Sequence, residues 1–190
     1  MLEIPPCFRV IHASSPVDDE RAIVLRPGHA FGCGRHETTQ LCLQAIGHFA
    51  PRPPRPWRLL DVGSGSGILS IGAAKLGATA FGVELDASAN ALAEENARLS
   101  GVSDRATFSQ RFPDAPASFD VVVANILCDI LVELAERVVA MKTAAGTLVL
   151  SGLLSTDVPV VSAAYARWLD GRRPEIYQRG EWRALAWRRR

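Results

Sequence analysis

A chain of 190 residues has the length of one domain, and its 48% hydrophobic residues allow it to bury a core of its own. The net charge of +1 lacks the basic excess typical of dedicated nucleic-acid-binding proteins, so no nucleic-acid partner is predicted. There is no uninterrupted apolar run of about 18 residues, and the first residues lack the pattern of a signal peptide. We therefore expect a cytoplasmic protein with no membrane partner.

The cysteines and the basic residues add little chemistry of their own. The four cysteines form no CxxC pair and have no histidine at metal-ligand spacing, so we expect free thiols and no metal site: Cys7, Cys33, Cys42 and Cys128. Only Lys75 and Lys142 among the 21 basic residues are lysines, and the sequence closes on three arginines, residues 188–190. Such a basic tail can contact an acidic partner, although a solvated chain end is the simpler interpretation.

The first third of the chain predicts a lead-in to a larger core. Residues 8–13 and 22–26 are typical of two short strands around a polar turn, which predicts a small hairpin. A glycine-rich loop begins at Pro27, and apolar residues at helical spacing follow it. The proline-rich segment 51–56 cannot continue that helix and is expected to be a surface connector. We expect residues 1–56 to pack on a core of residues 57–190 within one structural domain.

From Trp57 onward, short apolar runs alternate with helical patterns, as in βαβ units with a parallel sheet. The final runs, 174–178 and 182–187, are too close for a crossover helix and predict an antiparallel hairpin at a sheet edge. The predicted fold is α/β and Rossmann-like, with a seven-stranded, mostly parallel sheet and helices on both faces. The other predicted strands are 58–63, 79–85, 105–109, 119–125 and 146–152, and the helices are 67–77, 88–100, 127–141 and 155–169.

The strongest local signal is a strand that runs through a glycine-rich turn into a helix, residues 59–71. Glycines let a ligand approach the backbone, and a helix N-terminus offers free N–H groups. A dinucleotide fingerprint that starts at Gly63 and Gly65 requires a third glycine at position 68, but here the third glycine is Gly67. The next strand ends at Glu84, whose carboxylate can accept both ribose hydroxyl protons. These features fit an adenosine with a free ribose.

This order of features resembles the class I methyltransferases over residues 57–152. The resemblance implies S-adenosyl-L-methionine as the cofactor, with the three glycines beside its methionine moiety and Glu84 on its ribose. Asp61 could hydrogen-bond backbone N–H groups of the glycine-rich turn, which would be a structural role. Asp86 is interpreted as the N-cap of the following helix.

The acceptor side is predicted at the end of the strand 119–125, which is almost entirely apolar until Asn125. Ligands of open α/β sheets bind at the carboxyl ends of the strands. The side-chain oxygen of Asn125 could accept a hydrogen bond from an attacking amine and so aim the nitrogen lone pair, with the backbone carbonyl of Ile126 as a second orienting group. The alternative is that Asn125 only caps the next helix.

Three stretches carry a closer resemblance to the PrmA family, whose members methylate amino groups of large-subunit ribosomal protein eleven. They are residues 27–39, with the form Ala-Phe-Gly-x-Gly-x-His-x-Thr-Thr near the end, residues 61–71, and Val-Ala-Asn-Ile-Leu at 123–127. The order and the spacing of the three match the family. The first stretch is the most specific, because class I enzymes in general do not share it.

The resemblance also implies site residues, with the family's frequent aspartate replaced by glutamate at position 84. In the first stretch, Phe31 could line the pocket for the adenosine or the methyl donor. His36 and Glu37 could form an acid–base pair, or they could fix the loop and favour the first turn of a helix. The family's cofactor contacts fall on Thr39, Gly63, Glu84 and Asn125.

The sequence therefore predicts an N-methyltransferase acting on protein amino groups, either lysine or an N-terminal amine. In-line methyl transfer depends on positioning, so no general base is assigned. PrmA members carry an N-terminal domain that grips the ribosomal protein, and only 26 residues precede Pro27 here. Two alternatives stay open. A small-molecule methyltransferase should have a closed pocket lined by the lead-in hairpin, whereas a protein acceptor needs an open groove over Asn125. The second alternative is a non-catalytic cofactor-binding protein.

Overall fold

The computed structural model describes residues 1–5, 7–17, 19–27, 33–51, 55–114 and 116–188. The first strands, β1 (Leu2–Ile4), β2 (Phe8–His12) and β3 (Ala22–Leu25), form a small separate sheet. β1 is antiparallel to β2, but β2 and β3 are parallel, so the predicted hairpin of residues 8–13 and 22–26 is wrong.

Hydrogen bonds to a distant helix hold β3 in its parallel arrangement. The backbone N–H of Val24 donates to Oγ of Ser100 at 2.9 Å, and that of Arg26 donates to Oδ1 of Asn96 at 2.8 Å. Both acceptors lie at the end of the helix that spans residues 87–99 or just beyond it. These bonds satisfy the outer edge of β3, which a local turn pattern cannot anticipate.

Seven further strands form the main sheet: β4 (Trp57–Val62), β5 (Ala78–Val83), β6 (Ala106–Ser109), β7 (Phe119–Asn125), β8 (Lys142–Leu154), β9 (Glu175–Arg179) and β10 (Trp182–Trp187). Their order is β6-β5-β4-β7-β8-β10-β9. All neighbours are parallel up to β8, and β10 is antiparallel to both β8 and β9. The predicted sheet and its C-terminal hairpin are confirmed.

Six helices occur in the described part of the chain: α1 (Glu37–Phe49), α2 (Ile68–Lys75), α3 (Ala87–Leu99), α4 (Cys128–Glu133), α5 (Ala135–Met141) and α6 (Val158–Ala166). The single helix predicted at 127–141 is wrong, because Leu134 leaves helical geometry with ψ at 3°. α4 buries only Leu131, so few packing contacts hold this helix in line with α5. None of the described helices is both long and apolar enough to cross a membrane.

Helices cover both faces of the sheet, as predicted. On one face, Leu59, Val121 and Val123 share a core with α1, α2 and the buried side chains of β1–β3. On the other face, Leu60 and Val122 pack with α4, α5 and α6. The period-two alternation along each strand sends consecutive residues to opposite cores. Described residues from both 1–56 and 57–190 contribute side chains to the core of this first face. All four cysteines are free thiols.

The order of the strands defines where a ligand can bind. From β4 the chain builds outward to β5 and β6, and it then returns to place β7 on the other side of β4. Val62 pairs with Ala124, so the carboxyl ends of β4 and β7 lie side by side. A reversal of this kind opens a crevice at the carboxyl ends of the strands.

Candidate functional site

The glycine-rich turn between β4 and α2 forms one wall of this crevice. Gly63, Gly65 and Gly67 have φ values of +74°, +50° and +78°, in the left-handed region that glycine alone adopts without strain. A Cβ on Gly63 would lie 2.3 Å from Cγ2 of Ile126, and one on Gly67 would lie 2.8 Å from Cζ of Phe108. The turn therefore requires glycine for its conformation and, at these two positions, for space.

Glu84 follows β5 and is held against the glycine-rich turn. Its Oε2 accepts the N–H of Gly65 at 3.1 Å, and its Oε1 accepts the N–H of Asp86 at 3.1 Å. A carboxylate oxygen can accept a further hydrogen bond, so both oxygens keep acceptor capacity in a fixed orientation. Asp86 caps α3 by accepting the N–H of Ser88 at 2.8 Å, which confirms its predicted role.

Asp61 lies beneath the turn and is fully buried. Its Oδ2 accepts both the N–H of Ser70 at 3.1 Å and the hydroxyl of Ser70 at 2.9 Å. The carboxylate thus ties β4 to the first turn of α2 and not, as predicted, to N–H groups of the loop. Burial raises the pKa of Asp61 to about 7, a shift that the Ser70 hydrogen bonds oppose and the charge of Glu84 reinforces.

Asn125 closes β7 on the opposite wall of the crevice. Its Oδ1 is buried and has no hydrogen-bond partner among the described residues. The N-cap of α4 is Leu127, without a side-chain capping bond, so the capping alternative for Asn125 does not hold. A Cβ on Gly152 would lie 2.5 Å from the carbonyl oxygen of Ile126 and 3.3 Å from Oδ1 of Asn125. A bare glycine at the end of β8 therefore makes room for both groups.

Asn125, Ile126 and Gly152 line a cavity of about 390 Å³. A groove of about 640 Å³ continues from it and shares Leu127, Gly152 and Trp182 with the cavity, while Asp129 and Asp157 also line the groove. Of the nine large hydrophobic residues that are exposed in the described part of the chain, five line the cavity or the groove: Leu127, Ile130, Val132, Leu154 and Val160. We call the groove of about 640 Å³ the apolar groove.

The start of α1 lies at the edge of the same cavity. Nδ1 of His36 accepts the N–H of Thr38 at 3.4 Å and lies 2.8 Å from its hydroxyl oxygen, so His36 is the N-cap of α1. The ring of His36 packs edge-on against Trp182, with the ring centroids 4.8 Å apart. Glu37 occupies the first turn of the helix. The geometry favours a helix start over an acid–base pair.

Two predicted contact residues belong to this first stretch. Thr39 is fully buried, and its Oγ1 has no hydrogen-bond partner among the described residues. Phe31 lies outside the described residues, as does the rest of segment 28–32. No group of histidine, cysteine or acidic side chains within the described ranges could hold a metal ion.

Sequence reasoning missed Gly152 and Trp182. Gly152 adopts a φ of +86° near the carboxyl end of β8, and a glycine within a largely apolar strand was its only signal. Trp182 starts β10 and pairs with Leu154. Because β10 runs antiparallel to β8, its first residue meets the carboxyl ends of the parallel strands.

Comparison with known proteins assigns the family. The family model described as ribosomal protein L11 methyltransferase (PrmA) matches residues 7–190. A ribosomal protein L11 methyltransferase from Syntrophotalea carbinolica is 41% identical over 178 residues, covering 92% of this chain and 57% of the relative. One from Pectobacterium atrosepticum is 42% identical over 167 residues, covering 87% of this chain and 54% of the relative. The chain spans little more than half the length of these curated relatives.

Solved structures agree with this assignment. The ribosomal protein L11 methylase of Lactobacillus delbrueckii subsp. bulgaricus aligns with a TM-score of 0.82 at 28% identity, covering 100% of this chain and 98% of that one. An RNA methyltransferase from Salinibacter ruber, in complex with S-adenosyl-L-homocysteine, has a TM-score of 0.60 at 20% identity. The alignment covers 77% of this chain and 88% of the RNA methyltransferase, and this likeness shows the fold alone. By its family match and these identities, this chain belongs to the ribosomal protein L11 methyltransferase (PrmA) family.

Proposed function

We propose that this chain is an S-adenosyl-L-methionine-dependent methyltransferase that methylates amino groups of a protein. The observation that carries the proposal is the buried, unpartnered Oδ1 of Asn125, which lines a cavity next to the glycine-rich turn. A buried acceptor without a hydrogen bond lowers the stability of the fold unless a ligand supplies the missing donor. Membership of the family supports the same reaction class.

The described residues fit the cofactor. Ile126 and Phe108 pack so closely on Gly63 and Gly67 that only glycine fits, which holds the turn in its left-handed conformation. Oγ1 of Thr39 is a buried hydroxyl without a partner among the described residues. Glu84 keeps acceptor capacity for two ribose hydroxyls while its hydrogen bond to Gly65 fixes its orientation. When bound, S-adenosyl-L-methionine supplies a methyl group on a positively charged sulfonium. We assign the methionine side to the glycine-rich turn and the ribose to Glu84.

The role that we assign to Asn125 is to orient the acceptor. Its Oδ1 accepts one hydrogen of the amine, and the carbonyl of Ile126 offers a second acceptor, which leaves the nitrogen lone pair to be aimed. The amine must first be neutral, and a lysine amine has an ordinary pKa of about 10.4. Leu127, Ile130 and Trp182 make the cavity apolar, which lowers that pKa by disfavouring the ammonium form. Positioning then supplies most of the rate enhancement.

A protein acceptor is favoured over a small molecule by the surroundings of Asn125. None of the described residues that line the cavity comes from β1–β3, so the lead-in strands do not close it. The apolar groove instead extends the cavity along the surface, and contiguous exposed apolar residues mark interaction sites. Asp129 and Asp157 line this groove and suit a cationic segment around the target amine.

The proposed reaction is tested by incubating the chain with methyl-labelled S-adenosyl-L-methionine and purified ribosomal protein L11, the acceptor named for the relatives. We expect label on amino groups of the ribosomal protein, located by mass spectrometry. The matched control is Asn125→Ala with the same acceptor. Label that appears only on small amines supplied beside the protein would contradict the protein acceptor, and no transfer to any acceptor would contradict the enzyme.

A second experiment tests the apolar groove. Val160 is 55% exposed and lines the groove but not the cavity, and Val160→Ser removes apolar contact area that a docked polypeptide would cover. We expect KM for the protein acceptor to rise by about three- to tenfold while kcat stays the same, because docking is weakened and the chemistry is not. Ile176→Ser is the matched control, since Ile176 is 56% exposed on β9 and lines neither the cavity nor the groove. Equal effects of the two variants would remove the groove from substrate binding.

A further inference from the structure

A second cavity, of about 720 Å³, lies at the other end of the sheet. It is lined by the start of β8 at Lys142, the turn after α6 and the end of β10 at Trp187. Lys142 pairs with Phe119, the first residue of β7, whereas Asn125 closes β7 at the opposite end. The cavity is therefore separate from the candidate active site.

Positive charge dominates this second cavity, which we call the basic cavity. Its lining includes two carboxylates, and that of Glu175 is already engaged by Nε of Arg188 at 2.7 Å and by the hydroxyl of Tyr177 at 2.9 Å. The other carboxylate belongs to Asp170. Four cationic side chains outnumber the two carboxylates: Lys142, Arg172, Arg173 and Arg188.

The four cations line the same cavity, and two of them are neighbours in the chain. Arg172 and Arg173 are consecutive, and Nε of Arg172 donates to the carbonyl of Leu169 at 3.2 Å, which orients its guanidinium. Arg173 is exposed and forms no ion pair with any described residue. Lys142 is only 9% exposed, and its Nζ donates to the carbonyl of Thr143 at 3.1 Å. Adjacent guanidinium groups match the oxygens of a phosphate through paired, charge-assisted hydrogen bonds.

The remaining walls are apolar and aromatic. Trp168, Leu169 and Ala186 line the cavity beside the cations. Nε1 of Trp168 is buried and has no hydrogen-bond partner among the described residues, so a residue that lines the cavity keeps an uncommitted donor. The cavity volume also lies within the range of about 300 to 1,000 Å³ that is usual for small-molecule sites.

We propose that the basic cavity binds a phosphate-bearing ligand of nucleotide size, with the phosphate on Arg172 and Arg173 and the apolar part against Trp168. The site is independent of the methyltransferase proposal. The basic excess, the buried indole N–H and the cavity volume together point to this ligand class.

The test is calorimetric titration of the chain with inorganic pyrophosphate and, separately, with ADP. S-Adenosyl-L-homocysteine is present in both titrations to keep the adenosine of ADP out of the candidate cofactor site. We expect both probes to bind, and the double variant Arg172→Gln/Arg173→Gln to weaken both by at least about tenfold through lost charge-assisted hydrogen bonds. The affinity for S-adenosyl-L-homocysteine should not change in that variant, which separates this outcome from a failure of the proposed function.

Two controls keep the result interpretable. Arg105→Gln removes an exposed arginine next to β6, at the opposite edge of the sheet, and should leave both affinities unchanged. Arg173→Gln alone guards against misfolding, because no described partner is lost, and it should weaken binding with an unchanged melting temperature. Absence of binding, or equal weakening by Arg105→Gln, would overturn the proposal. So would arginine-dependent binding of a short single-stranded RNA without binding of pyrophosphate or ADP.

Discussion

The two walls of the crevice differ in how firmly their backbone is held by hydrogen bonds. On the glycine-rich turn, the N–H groups of Gly63 and Ser64 donate to the carbonyl of Val83 at 2.8 and 3.1 Å, and the N–H of Gly65 donates to Glu84. On the wall that ends at Asn125, a buried acceptor has no partner among the described residues, and Leu127 is exposed. The backbone of the first wall is preorganised, and its one unpartnered side-chain atom among the described residues of the turn is Oγ of Ser64, whereas the second wall leaves the acceptor of Asn125 uncommitted.

This difference matches the two ligands that we propose. A wall that holds the same cofactor in every turnover gains from a fixed shape, because little conformational freedom is then lost on binding. A wall that receives an acceptor must offer hydrogen-bonding and apolar groups that are free until the acceptor arrives. The predictions below separate the two walls by asking whether a substitution changes stability, cofactor affinity or turnover.

The largest expected effect concerns Asp61, beneath the preorganised wall. Its folded-state pKa is raised to about 7 from 3.8, so the folded protein favours the protonated form. The stabilising contribution is fully present below about pH 4 and is lost as the pH rises to about 7, by up to about 4 kcal/mol. Asp61→Asn should remove this loss, so urea unfolding from pH 4 to pH 7.5 should show a flatter profile than the wild type. Parallel profiles would contradict the raised pKa.

Gly63→Ala should damage the same wall sterically. A left-handed alanine costs about 1–2 kcal/mol, and the new Cβ would also meet Ile126 at 2.3 Å. We expect about 3 kcal/mol or more off the free energy of unfolding, with loss of cofactor binding. Gly77→Ala is the matched control, because Gly77 has a φ of +87° and nothing within 4 Å of a built Cβ. Equal losses in urea unfolding would show that the space at Gly63 is irrelevant.

Glu84→Ala should separate binding from folding. Loss of the carboxylate removes hydrogen bonds to the ribose worth about 1.5–3 kcal/mol, which lowers cofactor affinity by roughly ten- to 150-fold. Asp86→Ala is the control, because it removes the cap of α3, with about 1 kcal/mol of stability, but leaves affinity nearly unchanged. Calorimetry and thermal melts measure both quantities. Unchanged affinity in a folded Glu84→Ala protein would take Glu84 out of the site.

Asn125→Ala addresses the uncommitted wall and should have the smallest energetic effect. We expect turnover to fall by at least about tenfold, or about 1.4 kcal/mol of barrier, with nearly normal cofactor affinity. Stability should hardly change, since the side chain caps no helix. Single-turnover rates at saturating cofactor, measured beside a thermal melt, check both statements. A normal rate would refute the orienting role.

Local pattern was enough to predict much of this protein. The strand 119–125 has the predicted bounds, and the turn at Gly63, Gly65 and Gly67 has the left-handed backbone that its glycines indicated. Period-two alternation, glycine conformation and the distance between runs are properties of neighbouring residues, so the sequence predicts them directly. The position of Asn125 at a strand end follows in the same way.

Only the tertiary structure decided the rest. The parallel arrangement of β3 is held by hydrogen bonds to Ser100 and Asn96, more than 65 positions away in the chain. The cavity around Asn125 is completed by Trp182, which a separate antiparallel strand brings to the same edge. Whether Asn125 is a helix cap or an uncommitted acceptor is likewise invisible in a motif, because it depends on where α4 begins. Direction, proximity and the absence of a partner arise from packing between distant segments, and no local pattern encodes them.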